Sequence, residues 1–184
     1  MSLHSRNHRL TMSTDPALHK KPRQPKQREL HAVHHDAGEI RIGPAGWSYD
    51  DWHGVVYPAH PGRDFHEPEY LAQFFDTIEI NTSFYQPLRP EFAEQWIGRV
   101  AANPRFQFTA KLWQRFTHEG GGNGEDERIV RAGFEPLVRA GKLAAVLMQF
   151  PFSFHNTPEN SGYLKTLIDR FGDYSLVVEV RHAT

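Results

Sequence analysis

The sequence predicts an α/β chain: a (β/α) TIM-type barrel, present in part as about five of eight strands, behind a disordered basic arm. Three observations predict it. Five short β-type runs recur some 30 to 38 residues apart with helical segments between them, the rhythm of βα units joined by crossovers. Three of those runs gather polar and charged residues on one face, increasingly toward their C-terminal ends, where a barrel keeps its reacting groups. Residues 1–38 share none of this patterning.

Within the 184 residues, 1–38 form the first predicted unit and 39–184 the second. The arm carries seven Lys and Arg against Asp15, Glu29 and Asp36, a local excess of +4, with six of the twelve histidines, three prolines and no aromatic residue. Such a composition buries too little to offset its ordering entropy, so it reads as a solvated arm. Lys20–Arg28 is a weak patch for an acidic partner, and His31, His34 and His35 are a loose metal-binding tract. The rest of the chain has 14 basic and 19 acidic residues, and the whole a net charge of −1, so there is no strong nucleic-acid signal. The absence of cysteine excludes disulfides, thiol nucleophiles and thiolate metal sites. No apolar run approaches the length of a membrane span. The expectation is a cytoplasmic globular protein.

The β-type runs are Glu39–Gly43, Thr77–Asn81, Phe106–Lys111, Ala144–Phe150 and Leu176–Arg181. Helices are predicted over Glu67–Phe75 and Pro90–Ala102, each with a proline near its first turn, where the missing N–H costs nothing. Glu125–Ala140 closes on Gly141, and Pro158–Phe171 starts behind Thr157 as N-cap. Phe92, Trp96, Ile97 and Val100 recur at helical spacing and read as a core stripe. A doubly wound sheet would make central strands apolar on both faces. Here Glu79 and Asn81 oppose Ile78 and Ile80; Gln107, Thr109 and Lys111 oppose Phe106, Phe108 and Ala110; Glu179 and Arg181 oppose Val178 and Val180. That alternation favours the barrel. Five strands leave it open, so the expectation is the first part of a larger domain or closure by a second copy, because open edges are a liability.

Chemistry concentrates at the predicted strand ends. The loop Gly43–Tyr49 leads to Trp52, Gly54 and Tyr57, with glycines for tight turns and aromatics for pocket walls, although buried aromatics pinning a loop explain it equally. Its glycine spacing is not that of a phosphate-binding fingerprint. Glu79 and Asn81 point the same way, as a base and its orienting partner do; a lumen ion pair of Glu79 with Lys111 or Arg181 is at least as good a reading. Lys111 acts as a base when desolvated or binds an anion when cationic. Arg115 and His118 lie beyond it, before a run of glycines, and Gln149 is a neutral orienting group. Glu79, Glu179 and His182 are candidate ligands for a divalent metal, the one cofactor this reading allows. Without a metal, Lys111, Arg115 and Arg181 form a cationic cluster for phosphate or carboxylate. Neither Ser48 nor Ser83 sits in a G-x-S-x-G elbow.

Five ordered motifs together resemble the YecE-like family (domain of unknown function 72). They are Ile42–Tyr49 for I-G-x-S-G-W-x-Y and Glu79–Tyr85 for E-I-N-x-x-F-Y. Phe106–Lys111 with Thr117-His118 matches F-x-F-x-x-K and T-H, Gln149–Phe154 matches Q-x-P-x-S-F, and Glu179–His182 matches E-x-R-H. The resemblance covers residues 40–182 and implies a TIM-type barrel with a pocket at the strand C-termini. It implies no reaction, and divalent-metal use enters only by analogy with barrels such as endonuclease IV and xylose isomerase. Two departures stand out: Pro44-Ala45 replaces a small polar pair, and the sequence stops at Thr184, where the family continues.

The leading expectation is therefore an enzyme acting on a small anionic molecule or a nucleic-acid end. Glu79, Lys111, Glu179 and His182 are the catalytic candidates; Trp47, Asn81, Tyr85, Arg115, His118, Gln149 and Arg181 are the binding candidates. The competing readings are a non-catalytic barrel that binds an anionic ligand, and a fragment whose charges are lumen salt bridges.

Overall fold

A computed structural model describes residues 39–182. The predicted arm, its Lys20–Arg28 patch and its His31, His34 and His35 tract lie outside the described residues.

Four strands form one parallel sheet in sequence order: β1 (Thr77–Ile80), β2 (Gln107–Lys111), β3 (Leu143–Gln149) and β4 (Leu176–Glu179). The connecting helices are α1 (Glu67–Leu71) before β1, then α2 (Thr82–Tyr85), α3 (Pro90–Arg99), α4 (Gln114–Thr117), α5 (Gly124–Arg139) and α6 (Pro158–Phe171). Local chemistry sets their starts. Pro90 and Pro158 open α3 and α6, and the Thr157 hydroxyl accepts from the Asn160 N–H. Asn123 and Asp126 form a capping box at α5, each side chain accepting from the other residue's backbone N–H. Two single-turn helices, α2 and α4, follow β1 and β2 directly. No periodicity signals so short a segment, and such a helix forms only where tertiary packing holds it.

The two sheet faces differ as predicted in β1, β2 and β3, whereas in the edge strand β4 Val178, and beyond it Val180, both expected on the buried face, are exposed. Ile78, Ile80, Phe108, Ala110, Val146 and Met148 are fully buried on one face, beneath a layer in which α3 packs on α5. The opposite face carries Glu79, Thr109, Lys111, Leu147 and Gln149, all half-buried. A parallel sheet with helices on one side and a polar lumen on the other is the partial (β/α) barrel expected. Among the described residues, no helix is long and apolar enough to cross a membrane.

The predicted run Glu39–Gly43 forms no strand, so four of the five expected strands are present among the described residues; just after it, Ala45 makes an isolated bridge to Glu79. Glu79 N–H donates to the Pro44 carbonyl at 3.0 Å and Gly46 N–H to the Glu79 carbonyl at 2.9 Å. The preceding rung would need an N–H on residue 44, and proline has none. The ladder stops there, and the Ile42 carbonyl instead accepts from Asp76 N–H at 3.3 Å.

Candidate functional site

A cavity of about 520 Å³ opens at the C-terminal ends of β1, β2 and β3. The register of the sheet decides its floor. Glu79 of β1 lies opposite Thr109 of β2, so Lys111 stands two residues further along the same face. Its Nζ reaches back to Glu79 Oε1 at 3.3 Å, with the two side chains 18% and 21% exposed. The buried Ser83 hydroxyl donates to the Ile80 carbonyl at 2.7 Å and accepts from the Lys111 N–H at 3.0 Å, which ties the ends of β1 and β2 together.

The walls are aromatic. Trp47 and Trp96 meet edge to face with centroids 4.8 Å apart, and Tyr49, Phe84 and Tyr85 complete the lining. The Trp47 backbone is held by Tyr57, whose hydroxyl donates to its carbonyl at 2.6 Å. Burial first, then the negative charge of Glu67, pushes that phenol up to about 12. Gly46 makes the turn with φ +80°; a Cβ there would sit 2.5 Å from the Tyr49 hydroxyl and 3.0 Å from Asn81 Nδ2. Tyr49 donates to the Ala45 carbonyl at 2.5 Å and accepts from Asn81 Nδ2 at 3.4 Å, while Asn81 Oδ1 is buried without a partner.

On the far side, Gln149 Nε2 donates to Glu179 Oε2 at 2.8 Å, and Arg181 Nε donates to Glu179 Oε1 at 3.0 Å. The Gln149 hydrogen bond, then Arg181, holds the Glu179 carboxyl below the usual carboxylate range. Glu179 thus shares its two oxygens between Gln149 and Arg181 and is not among the residues lining the cavity.

Of the predicted residues, Trp47, Asn81, Tyr85, Lys111 and Gln149 line one cavity, with Glu79 beside Lys111. The other five, Arg115, His118, Glu179, Arg181 and His182, are not among the cavity's lining residues. Arg115 donates to Asp126 Oδ2 at 3.0 Å and serves the start of α5, because Asp126 is the acidic N3 residue of the capping box. Lys111, Arg115 and Arg181 each pair with a different carboxylate. The metal set of Glu79, Glu179 and His182 does not form either. The first two are engaged with cations, while His182 packs on Phe152 and His155 at 4.8 and 4.1 Å between ring centroids. Among the described residues, no three His, Asp or Glu side chains gather to hold a metal. His118 lines a separate groove with Glu159 and Tyr163.

Sequence reasoning missed Trp96 and Ser83. Trp96 belongs to a helical stripe that reads as core, and it does pack on Phe108, yet its ring also forms a cavity wall. The signal available was its tryptophan identity, since that ring is rarely buried completely.

Burial first, then Arg181, holds the His118 imidazole below its ordinary value of 6.5. Because its folded value is depressed, the unfolded chain takes up the proton first. The stabilising contribution is thus present above pH 6.5 and lost as pH falls through the folded value. Phe84 packs edge-on against this ring at 4.8 Å. Phe84→Ala is expected to admit water and raise the His118 midpoint toward 6.5, read by NMR titration of the imidazole; an unmoved midpoint would refute burial as the cause.

The profile described as "Protein of unknown function DUF72" matches residues 41–184. The UPF0759 protein YunF of Bacillus subtilis (strain 168) is 30% identical over 151 residues, covering 78% of this chain and 51% of that protein. A DUF72 family crystal structure from Thermotoga maritima MSB8 superposes with TM-score 0.62 at 32% identity, covering 77% of this chain and 55% of that one. One from Enterococcus faecalis V583 gives TM-score 0.65 at 24% identity, covering 78% and 51%, a likeness of fold alone. The chain spans about half the length of the relatives it matches.

Proposed function

Because the chain belongs to the DUF72 family, whose description gives no reaction, we propose from its own geometry that the cavity is a small-molecule enzyme site for a ring-bearing anionic substrate. The Lys111–Glu79 pair at its floor carries this reading. An ammonium has three N–H donors. One serves Glu79, and the others remain for a phosphate or carboxylate entering the cavity. The half-buried setting strengthens that charge-assisted contact over what water would allow. Trp47, Trp96 and Tyr85 offer faces and edges for a ring, so the anionic group enters toward the floor and the ring stays between the walls. Glu79 then has two roles: it holds Lys111 in place, and it accepts or returns a proton once substrate draws the ammonium away.

A second reading, binding without turnover, is favoured by one observation. The carboxylates at the strand ends, Glu79 and Glu179, are both committed to cations.

Calorimetry and thermal shift with inorganic phosphate, ribose 5-phosphate, adenosine 5′-monophosphate and adenosine test both. The expected order places the nucleotide above adenosine and above inorganic phosphate, because walls and floor each contribute. Lys111→Met is expected to weaken nucleotide binding about tenfold to hundredfold, the worth of one charged hydrogen bond. If the nucleotide binds no better than adenosine, or equally well to Lys111→Met, the anion site is wrong. Turnover of a bound probe, followed by NMR and abolished in Glu79→Gln, selects the enzyme; tight binding without turnover selects the second reading.

A further inference from the structure

We propose that His155 and His182 form a two-imidazole site for a borderline divalent cation such as Zn²⁺, outside the aromatic cavity. The backbone brings them together. β3 and β4 are paired neighbours, with Gln149 opposite Glu179, and both chains leave the sheet at the same rim. His182 follows three residues after Glu179, while the loop from β3 to α6 returns His155 beside it. The two rings lie 4.1 Å apart between centroids at an interplanar angle of 70°. They line a small cavity of about 180 Å³ together with Asn156, Asn160 and Ser161.

The setting is prearranged for a ligand. The His155 carbonyl accepts from Asn160 Nδ2 at 2.7 Å and from the Thr157 N–H at 2.9 Å, so the start of α6 fixes the backbone that carries this imidazole. Phe152 packs against His182 from the other side at 4.8 Å. Zinc bound about 2.0–2.1 Å from one nitrogen of each ring spans nitrogens no more than about 4.2 Å apart. Ring centroids 4.1 Å apart are compatible with that span. Neutral imidazole suits Zn²⁺, Cu²⁺ and Ni²⁺ over Mg²⁺ or Ca²⁺, because no carboxylate joins the pair. Water and the neighbouring Asn156 or Asn160 carbonyl oxygens supply the remaining positions. Such a site keeps open coordination positions, as a catalytic or anion-capturing metal does and a closed structural one does not.

The site differs from the one the sequence suggested: it keeps His182 and exchanges both glutamates for an imidazole that lies outside the motif. It is also independent of Lys111 and the aromatic cavity, so neither proposal stands or falls with the other.

Zn²⁺ titration of the full chain by calorimetry, with His31, His34 and His35 replaced by alanine to remove competing imidazoles, tests it. One equivalent is expected to bind, with the imidazole NMR resonances of His155 and His182 shifting together. His155→Ala and His182→Ala are each expected to weaken binding by about tenfold or more, and the double variant little further, because one remaining ring no longer chelates. Unshifted His155 and His182 resonances, or Zn²⁺ binding unchanged in both single variants, would overturn the proposal. Each variant's thermal melt in the absence of metal is expected to match the parent, which separates loss of a ligand from loss of fold.

Discussion

Phe108→Ala is expected to lower the free energy of unfolding by about 3–5 kcal/mol, the cost of emptying a phenylalanine site in a core that does not collapse around it. Phe108 has no exposed surface, and its ring meets Phe106 at 5.1 Å and Trp96 at 6.4 Å between centroids. Its strand is central, with β1 on one side and β3 on the other, so relaxation of its backbone is resisted from both directions. A domain stabilised by about 5–15 kcal/mol loses a large part of its margin in this way. Denaturant unfolding checks it, with the midpoint displaced and the slope unchanged. A loss under about 1.5 kcal/mol, the range of a volume-conserving core swap, would mean that the helix layer closes over the gap. Because Phe108 also backs Trp96, the variant is further expected to weaken binding in the aromatic cavity.

The second large effect concerns the floor of that cavity. Removing one member of a half-buried ion pair leaves the other charged and poorly solvated, so Lys111→Met or Glu79→Gln alone is expected to cost about 2–3 kcal/mol, somewhat below the range for fully buried pairs. The double variant is expected to be less destabilised than the sum of the two, because no uncompensated charge remains. The cycle is read by urea unfolding at neutral pH. Strict additivity would show that the 3.3 Å contact contributes nothing and that solvent already screens both groups. Function separates from stability here. The double variant is expected to keep its fold and lose the anion, since repairing the charge balance does not restore a donor.

These expectations show which parts of the molecule were legible in advance. Alternation of Ile78 and Ile80 with Glu79, and of Phe108 and Ala110 with Thr109 and Lys111, is a local property with period two, and it survived intact as a buried face and a polar face. The prolines that open α3 and α6 act within one turn, so they marked those starts correctly. The first β-type run was less legible. Its composition suits a strand, but the ladder begun at the Ala45–Glu79 bridge could extend back toward it only through an N–H on residue 44, and proline has none.

The sequence by itself determined the alternating strands, the helix starts, the family and the collection of aromatic, amide and charged residues at the strand ends. Those follow from periodicities and motifs written over a few residues at a time. Only the tertiary structure decided which charge meets which. Glu79 could have met Lys111 or Arg181, and strand register gave it Lys111, 32 positions later. Arg115 was drawn away to Asp126 by the start of α5, and His182 was set against His155 by the return of the β3–α6 loop. Ion pairs and ring contacts fall off within a few ångströms, and distances on that scale between residues far apart in the chain exist only once the chain has folded.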